Sequence, residues 1–170
     1  IVAGYNRSQG SADKQDMWLR RYSSTGTLVW EKLVTGTTSD WLEGLAVGAD
    51  GNVYAVGMTT ATGVGRQGLR TKVVPSTGTV GPTITWGPSG TGSDEFKDIA
   101  VDGAGKHYMA GYSTTGGSEQ GWYVRVAQDG TSEVNVNFGA GGADGFNDIA
   151  ILTSGDVIVV GKKGSAPWAM

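Results

Sequence analysis

The chain has 170 residues, of which 38% are apolar and 30 are glycine, and its formal net charge at pH 7 is −3. The apolar content supports a folded domain and excludes wholesale disorder, while the lack of cysteine excludes disulfides and thiolate metal sites. The acidic balance argues against a nucleic-acid or anionic-membrane partner, and no apolar run approaches the ~20 residues of a membrane span.

One motif occurs three times along the chain. Its copies are DWLEGLAVGADGNVYAVGMT at 40–59, DEFKDIAVDGAGKHYMAGYS at 94–113 and DGFNDIAILTSGDVIVVGKK at 144–163. The leading aspartates are 54 and 50 residues apart, close to the ~40–50 residues of a propeller blade. Glycine, threonine, serine and valine dominate the repeats, and no segment has helical periodicity with a capping box, so we expect strands and turns.

Each repeat predicts four strands. In the first partial copy they lie at 1–5, 17–23 and 27–34, and in the next copy the second, third and fourth strands lie at 52–58, 68–75 and 83–86. The third copy predicts strands at 96–102, 106–112, 121–127 and 133–138, and the last copy predicts a second strand at 156–162. Pro82 and Pro88 flank one fourth strand, which suits an outer edge. A glycine recurs inside every second strand, which predicts a bulge or a close approach by a neighbouring sheet. These glycines are Gly4, Gly57, Gly111 and Gly161.

Four antiparallel strands at this period predict an all-β fold, a β-propeller of four-stranded antiparallel blades. The first two strands carry the pattern DxFxDIAVDxxGxxYxxGYS, and the third and fourth strands carry DMWLRRYSSTGTLVWEKL in one copy and QGWYVRVAQDGTSEVNVNF in another. With these patterns, nearly the whole chain resembles the SBBP-type bacterial β-propeller repeat. The resemblance implies the fold, whereas such propellers serve many roles. We expect a single propeller section with about three blades: a partial blade at 1–39, blades at 40–93 and 94–143, and a partial blade at 144–170. We expect this section to belong to a longer chain or, alternatively, to a multi-chain ring.

Residues that often carry chemistry are better explained here by structure. His107 is the only histidine, and no serine or aspartate surrounds it in a triad pattern, so we expect a structural or solvated role. An aspartate recurs before each first strand, where a carboxylate accepts backbone N–H bonds and fixes the loop. These are Asp40, Asp94 and Asp144. Asp98 and Asp148 also occupy one repeat position, and catalytic carboxylate pairs are not expected to recur once in each repeat. The sequence predicts no catalytic residue, no cofactor and no metal site.

Binding residues are expected where the copies depart from one another. Trp41 is replaced by Glu95 and Gly145 in the other copies, and it lies in the segment entering a first strand. The segments between second and third strands open on the same face and differ in length and charge, as expected for an interaction surface and equally for neutral loop drift. The candidate partner-binding residues are Trp41, Arg66, Gln67, Glu95 and Glu119.

These observations favour a non-enzymatic scaffold with a structural or protein-interaction role, on a cell surface or in a virion or other extracellular assembly. One alternative is a lectin-like propeller, in which an exposed tryptophan stacks on a sugar ring beside polar loop residues. Another is an enzyme whose site is completed by blades outside these residues. The expected partner is a protein or a glycan at the loop face.

Overall fold

The computed structural model describes residues 1–7, 14–35, 37–61, 63–87, 92–139, 142–164 and 166–170. These residues form strands joined by turns and short loops, which confirms the predicted all-β class. No helix of sufficient length and apolarity to cross a membrane occurs in the described part of the chain. In chain order the strands are β1 Val2–Arg7, β2 Gln15–Tyr22, β3 Leu28–Val34, β4 Asp40–Val47, β5 Val53–Ala61, β6 Gly65–Val74, β7 Thr79–Trp86, β8 Glu95–Val101, β9 His107–Thr115, β10 Ser118–Val126, β11 Ser132–Phe138, β12 Gly145–Ile151, β13 Val157–Lys163 and β14 Ala166–Ala169.

The strands form four antiparallel sheets, each a simple meander. The first sheet has the order β1-β2-β3, the second β4-β5-β6-β7, the third β8-β9-β10-β11 and the fourth β12-β13-β14. Pro82 was expected to flank a fourth strand but lies inside β7, which begins at Thr79. Because β7 is the edge strand of the second sheet, a residue without an N–H is tolerated there. Pro88 lies outside the described residues.

The recurring glycine of the second strands faces a bulge in the adjacent first strand. The register of β8 against β9 shifts between Phe96 and Asp98, which leaves Lys97 as the extra residue. A Cβ on Gly111 would lie 1.9 Å from the carbonyl oxygen of Glu95. Gly57 and Gly161 face equivalent carbonyls at 2.0 Å beside equivalent bulges. The bulge therefore lies in the first strand and not at the glycine of the second strand, and the close approach comes from a strand of the same sheet and not from a neighbouring sheet.

The sheets stack in series through apolar side chains. Met17 and Leu19 of the first sheet pack with residues of β4, β5 and β6 in the second. Tyr54 and Val56 of the second sheet pack against a cluster in the third that includes Phe96. Phe96 stacks on Trp122 with their ring centroids 4.3 Å apart. Residues of β9 then pack against β12 and β13 of the fourth sheet. One core layer thus separates each sheet from the next.

The two outer sheets carry apolar side chains that the inner sheets bury. Val2 is 52% exposed, whereas Met109 at the same repeat position is fully buried. Val160 is 40% exposed, whereas its counterpart Ala110 is fully buried. One face of the first sheet and one face of the fourth are therefore uncovered in this chain. The division into partial and complete blades stays a prediction.

Candidate functional site

The predicted residues Trp41, Glu95 and Arg66 meet at the end of the sheets where the first strands begin. Trp41 is the second residue of β4, and Glu95 is the first residue of β8, the first strand of the next sheet. The indole Nε1 of Trp41 donates to Glu95 Oε1 at 3.1 Å. The Arg66 guanidinium lies over the indole, with Cζ 5.0 Å from the ring centroid. Three of the five candidate residues are thus in direct contact across two sheets.

Glu95 holds this contact from a buried position. Only 1% of the residue is exposed, and its carboxylate also accepts hydrogen bonds from Lys97 Nζ at 2.5 Å and Tyr112 Oη at 2.8 Å. Burial alone would raise the pKa of Glu95, but hydrogen bonds from Lys97, Tyr112 and Trp41 hold it below its ordinary value. Glu95 is therefore an ionised carboxylate whose role in this structure is to fix the tryptophan, and not to face solvent.

Lys97 links two carboxylates of neighbouring sheets. Its Nζ lies 3.1 Å from Glu43 Oε1 as well as 2.5 Å from Glu95 Oε1. Burial, and then the hydrogen bond with Glu95, raises the pKa of Glu43. Burial would lower the pKa of Lys97, but its bonds to Glu95 and Glu43 raise it. We name Trp41, Glu43, Arg66, Glu95, Lys97 and Tyr112 the Trp41 cluster.

Trp41 remains the accessible centre of the Trp41 cluster. Its side chain is half-buried, and the Tyr5 ring lies 6.2 Å away, centroid to centroid, at an angle of 52°. Tyr5 is 50% exposed. Together with Arg66 these groups present two aromatic rings and a guanidinium at one end of the first and second sheets. Aromatic and arginine side chains are those enriched at interaction hot spots.

Four candidate residues were expected in loops but lie within strands, namely Trp41, Arg66, Gln67 and Glu119. Gln67 belongs to β6 and pairs with Thr59, while Glu119 belongs to β10. The β9–β10 hairpin is longer than predicted because Gly116 and Gly117, with positive φ, turn the chain within two residues. Glu119 does not join the Trp41 cluster. Its Oε2 instead lies 3.3 Å from Lys162 Nζ, between the third and fourth sheets.

The three aspartates at the starts of the repeats are buried, and two of them accept hydrogen bonds from the backbone, as the repeat predicts. Asp94 Oδ1 accepts from the Thr114 amide at 3.0 Å, and Asp144 Oδ1 accepts from the Gly164 amide at 2.7 Å. Asp40 accepts from the Thr38 hydroxyl. Each carboxylate therefore ties the loop before its sheet, which supports the structural interpretation.

A second carboxylate pair lies between the first strands of the third and fourth sheets. The Ile149 amide is 3.2 Å from Asp98 Oδ2 and 2.8 Å from Asp148 Oδ1, so one donor serves both groups. Burial, followed by the hydrogen bond with Asp148, raises the pKa of Asp98 to about 6. Asp98 therefore takes up a proton at a higher pH than an ordinary aspartate does.

His107 was expected to be structural or solvated, and it is fully buried. Its Nδ1 is hydrogen-bonded to the Arg70 guanidinium, and its ring centroid lies 4.1 Å from that of Tyr54. Burial, and then the charge of Arg70, lowers the pKa of His107 to about 4, so the imidazole is neutral at pH 7. The Arg70–His107 contact was not predicted from sequence.

Glu43, Lys97 and Tyr112 of the Trp41 cluster were not predicted, although the alignment of the repeats places them next to predicted residues. Glu43 and Lys97 occupy the same step of neighbouring copies, as do Trp41 and Glu95, and first strands of neighbouring sheets lie side by side. Opposite charges at one repeat position were thus a sign of contact. Tyr112 pairs with Glu95 across the β8–β9 ladder. Its predicted place at the end of the second strand already put it near that residue.

The described residues contain no group of three or more histidine, cysteine, aspartate or glutamate side chains arranged to hold a metal ion. Comparison with models of known protein families and with curated proteins gives no match to this chain.

Proposed function

We propose that this chain is a section of a β-propeller that acts as a non-enzymatic scaffold and presents the Trp41 cluster to a protein partner. The observation that carries the proposal is the placement of this cluster. Departures from the repeat at Trp41, Glu95 and Arg66 converge at one end of the stacked sheets, where an aromatic ring and a guanidinium stay accessible.

The propeller part is supported by how one sheet follows another. The first strands β4, β8 and β12 are neighbours in successive sheets, and the β7 and β11 strands are edges. Serial four-stranded meanders with one strand type innermost are how propellers are built. The resemblance of the repeats to the SBBP-type sequence agrees with this arrangement. The uncovered faces that carry Val2 and Val160 are the surfaces that further blades would bury, from a longer chain or from other copies in a ring.

The scaffold part is supported by the bonding of the charged groups. Glu95 is engaged with three donors, and Lys97 is held between two carboxylates, so neither is poised for proton transfer. Rigid groups that are already bonded lose little entropy when a partner binds. A cell-surface or virion assembly is the setting we propose for such a scaffold.

The test is affinity for the natural partner, recovered by chemical cross-linking from the native source. Replacing both Trp41 and Arg66 with alanine should weaken binding of the purified partner by at least about tenfold, as expected for hot-spot residues. Lys106→Ala, in the turn before β9 and thus at the other end of the sheets, is the control and should bind within about twofold of the unmodified chain. Unchanged affinity of a folded double variant would refute the proposed surface.

Carbohydrate binding is the second candidate, because the half-exposed Trp41 ring lies in a cluster with the polar groups of Glu43 and Lys97. An aromatic ring beside hydrogen-bonding groups is a common sugar platform. A glycan array separates the two functions. Saturable glycan binding that is lost in Trp41→Ala favours the lectin, and silence across the array with retained protein binding favours the scaffold.

A further inference from the structure

A cleft of about 630 Å³ opens between the second and third sheets, at the end opposite to the Trp41 cluster. Its position is set by the β10–β11 turn, which approaches the outer strands of the second sheet. Volumes of this size accommodate small organic ligands. The side chains that matter for the argument are Tyr54, Arg70, Pro82, Ile84 and Gln128.

Arg70 is the unusual member of the cleft wall. The residue is only 4% exposed, yet no carboxylate lies within 4.0 Å of its guanidinium among the residues that the structure describes. Buried arginines are ordinarily paired, because a desolvated charge without a counter-ion costs several kcal/mol. Burial lowers the pKa of Arg70, but an arginine side chain stays protonated in proteins. The cleft therefore contains a positive charge that forms no ion pair with a described residue, and the charge of Asp129 acts on it only from beyond 4.0 Å.

The neighbours of Arg70 position the guanidinium without neutralising it. His107 Nδ1 accepts one of its hydrogen bonds, and the imidazole is uncharged at pH 7. The Tyr54 and Trp86 rings lie 5.5 and 5.8 Å from Cζ, centroid to atom. Arginine has five N–H donors in a planar fork, so donors remain for a ligand after the bond to His107.

We propose that this cleft binds the carboxylate of a small organic acid, with Arg70 as the principal ligand-binding residue. A carboxylate supplies two acceptor oxygens that match the guanidinium fork and one negative charge. Pro82 and Ile84 provide apolar contacts for the body of the acid, and the Gln128 amide offers a further donor.

The rim of the cleft favours a single negative charge over two. Lys72 is already paired with Asp50 at 3.1 Å, so it adds little net positive charge. Asp129 also lines the cleft, and its pKa is lowered mainly by hydrogen bonds from Thr131, which keeps it ionised. With Lys72 and Asp50 paired, Asp129 is the remaining carboxylate beside Arg70 in the described part of the chain, and its repulsion disfavours a phosphate dianion more than a carboxylate monoanion. The site is distinct from the Trp41 cluster and does not depend on the function proposed for it.

The experiment uses the whole chain labelled with nitrogen-15 and titrated with benzoate, glucuronate, benzamide or inorganic phosphate. Benzoate tests an acid with an apolar ring, and glucuronate tests a sugar acid. We expect saturable shifts of the Arg70 Nε and Trp86 Nε1 resonances with at least one of the two acids. Benzamide, which has the same ring without the charge, should cause none.

Arg70→Gln should weaken acid binding by at least about tenfold, because it removes the charge-assisted bonds. Gln128→Ala should weaken it less and guards against misfolding of the first variant, while Lys162→Ala, at the opposite end of the sheets, is the unaffected control. No saturable shift with either acid in the unmodified chain overturns the proposal. So does equal binding of benzamide, binding of phosphate alone, or full affinity in a folded Arg70→Gln variant.

Discussion

Replacing Gly111 with alanine tests the link between the recurring glycine and the bulged first strand. The new Cβ would lie 1.9 Å from the Glu95 carbonyl oxygen and 2.8 Å from Phe96 Cα, and both atoms belong to the backbone. Ordinary contacts begin at 3.4 Å, so β8 and β9 must separate by about 1.5 Å at this point. No side-chain rotation can relieve such an overlap.

The expected loss follows from two contributions. Overpacking in a well-packed region costs about 1–3 kcal/mol, and disturbing a neighbouring ladder hydrogen bond adds about 1 kcal/mol. We therefore expect Gly111→Ala to reduce the free energy of unfolding by about 3 kcal/mol. For a chain of this size that corresponds to a Tm about 6–12 °C lower.

Gly4 provides the matched control, since it occupies the same repeat position in β1 and a Cβ there meets nothing within 4 Å. Gly4→Ala should change the free energy of unfolding by no more than about 0.5 kcal/mol. Urea denaturation followed by tryptophan fluorescence measures both variants. Equal losses in the two variants, or an unchanged Gly111→Ala protein, would refute the reasoning.

Two further substitutions test the carboxylate pair and the core. In Asp98→Asn, the free energy of unfolding should depend on pH differently from that of the unmodified chain. The pKa of Asp98 is raised to about 6 when folded, against ~3.9 when unfolded, so its stabilising protonation is complete below pH 4 and is lost as pH rises through 6. Because the pair is partly solvated, we expect the free energy of unfolding of the unmodified chain to fall by about 1 kcal/mol relative to that of the variant between pH 4 and pH 7. Urea unfolding at each pH measures this difference, and parallel stability profiles would contradict the expectation. Trp122→Ala should reduce the free energy of unfolding by about 3–5 kcal/mol, because the buried ring stacks on Phe96. Trp18→Ala, at the same repeat position, should reduce it by about 1 kcal/mol or less, because Trp18 is only half-buried. Calorimetry of both tryptophan variants checks the difference, and similar losses would show that the two faces are equally packed.

The strand pattern could be predicted because it depends on local signals that recur. Alternation of apolar residues, glycine turns and one glycine per second strand are visible in each copy. The first residues of β6 and β10 could not be predicted from these signals. Arg66 and Glu119 are polar and follow glycine-rich segments, so composition places them in loops, whereas pairing with Thr60 and Thr114 places them in β6 and β10.

The candidate site was predictable only in part. Trp41 stood out because it departs from the repeat, and its contact with Glu95 joins equivalent steps of neighbouring copies. Arg70 and His107 meet in a different way. They come from the third strand of one sheet and the second strand of the next, so no shared repeat position marks the contact. Such contacts depend on how two sheet faces align, which sequence periodicity does not specify.

The most direct measurement is a high-resolution electron cryomicroscopy structure of the native assembly that contains this chain. The propeller account predicts that the sheets radiate from a common axis, with β4, β8 and β12 innermost. It also predicts that another sheet buries the face that carries Val2. A structure in which the four sheets form an open stack, with Val2 still in solvent and the first strands facing no shared axis, would contradict the account.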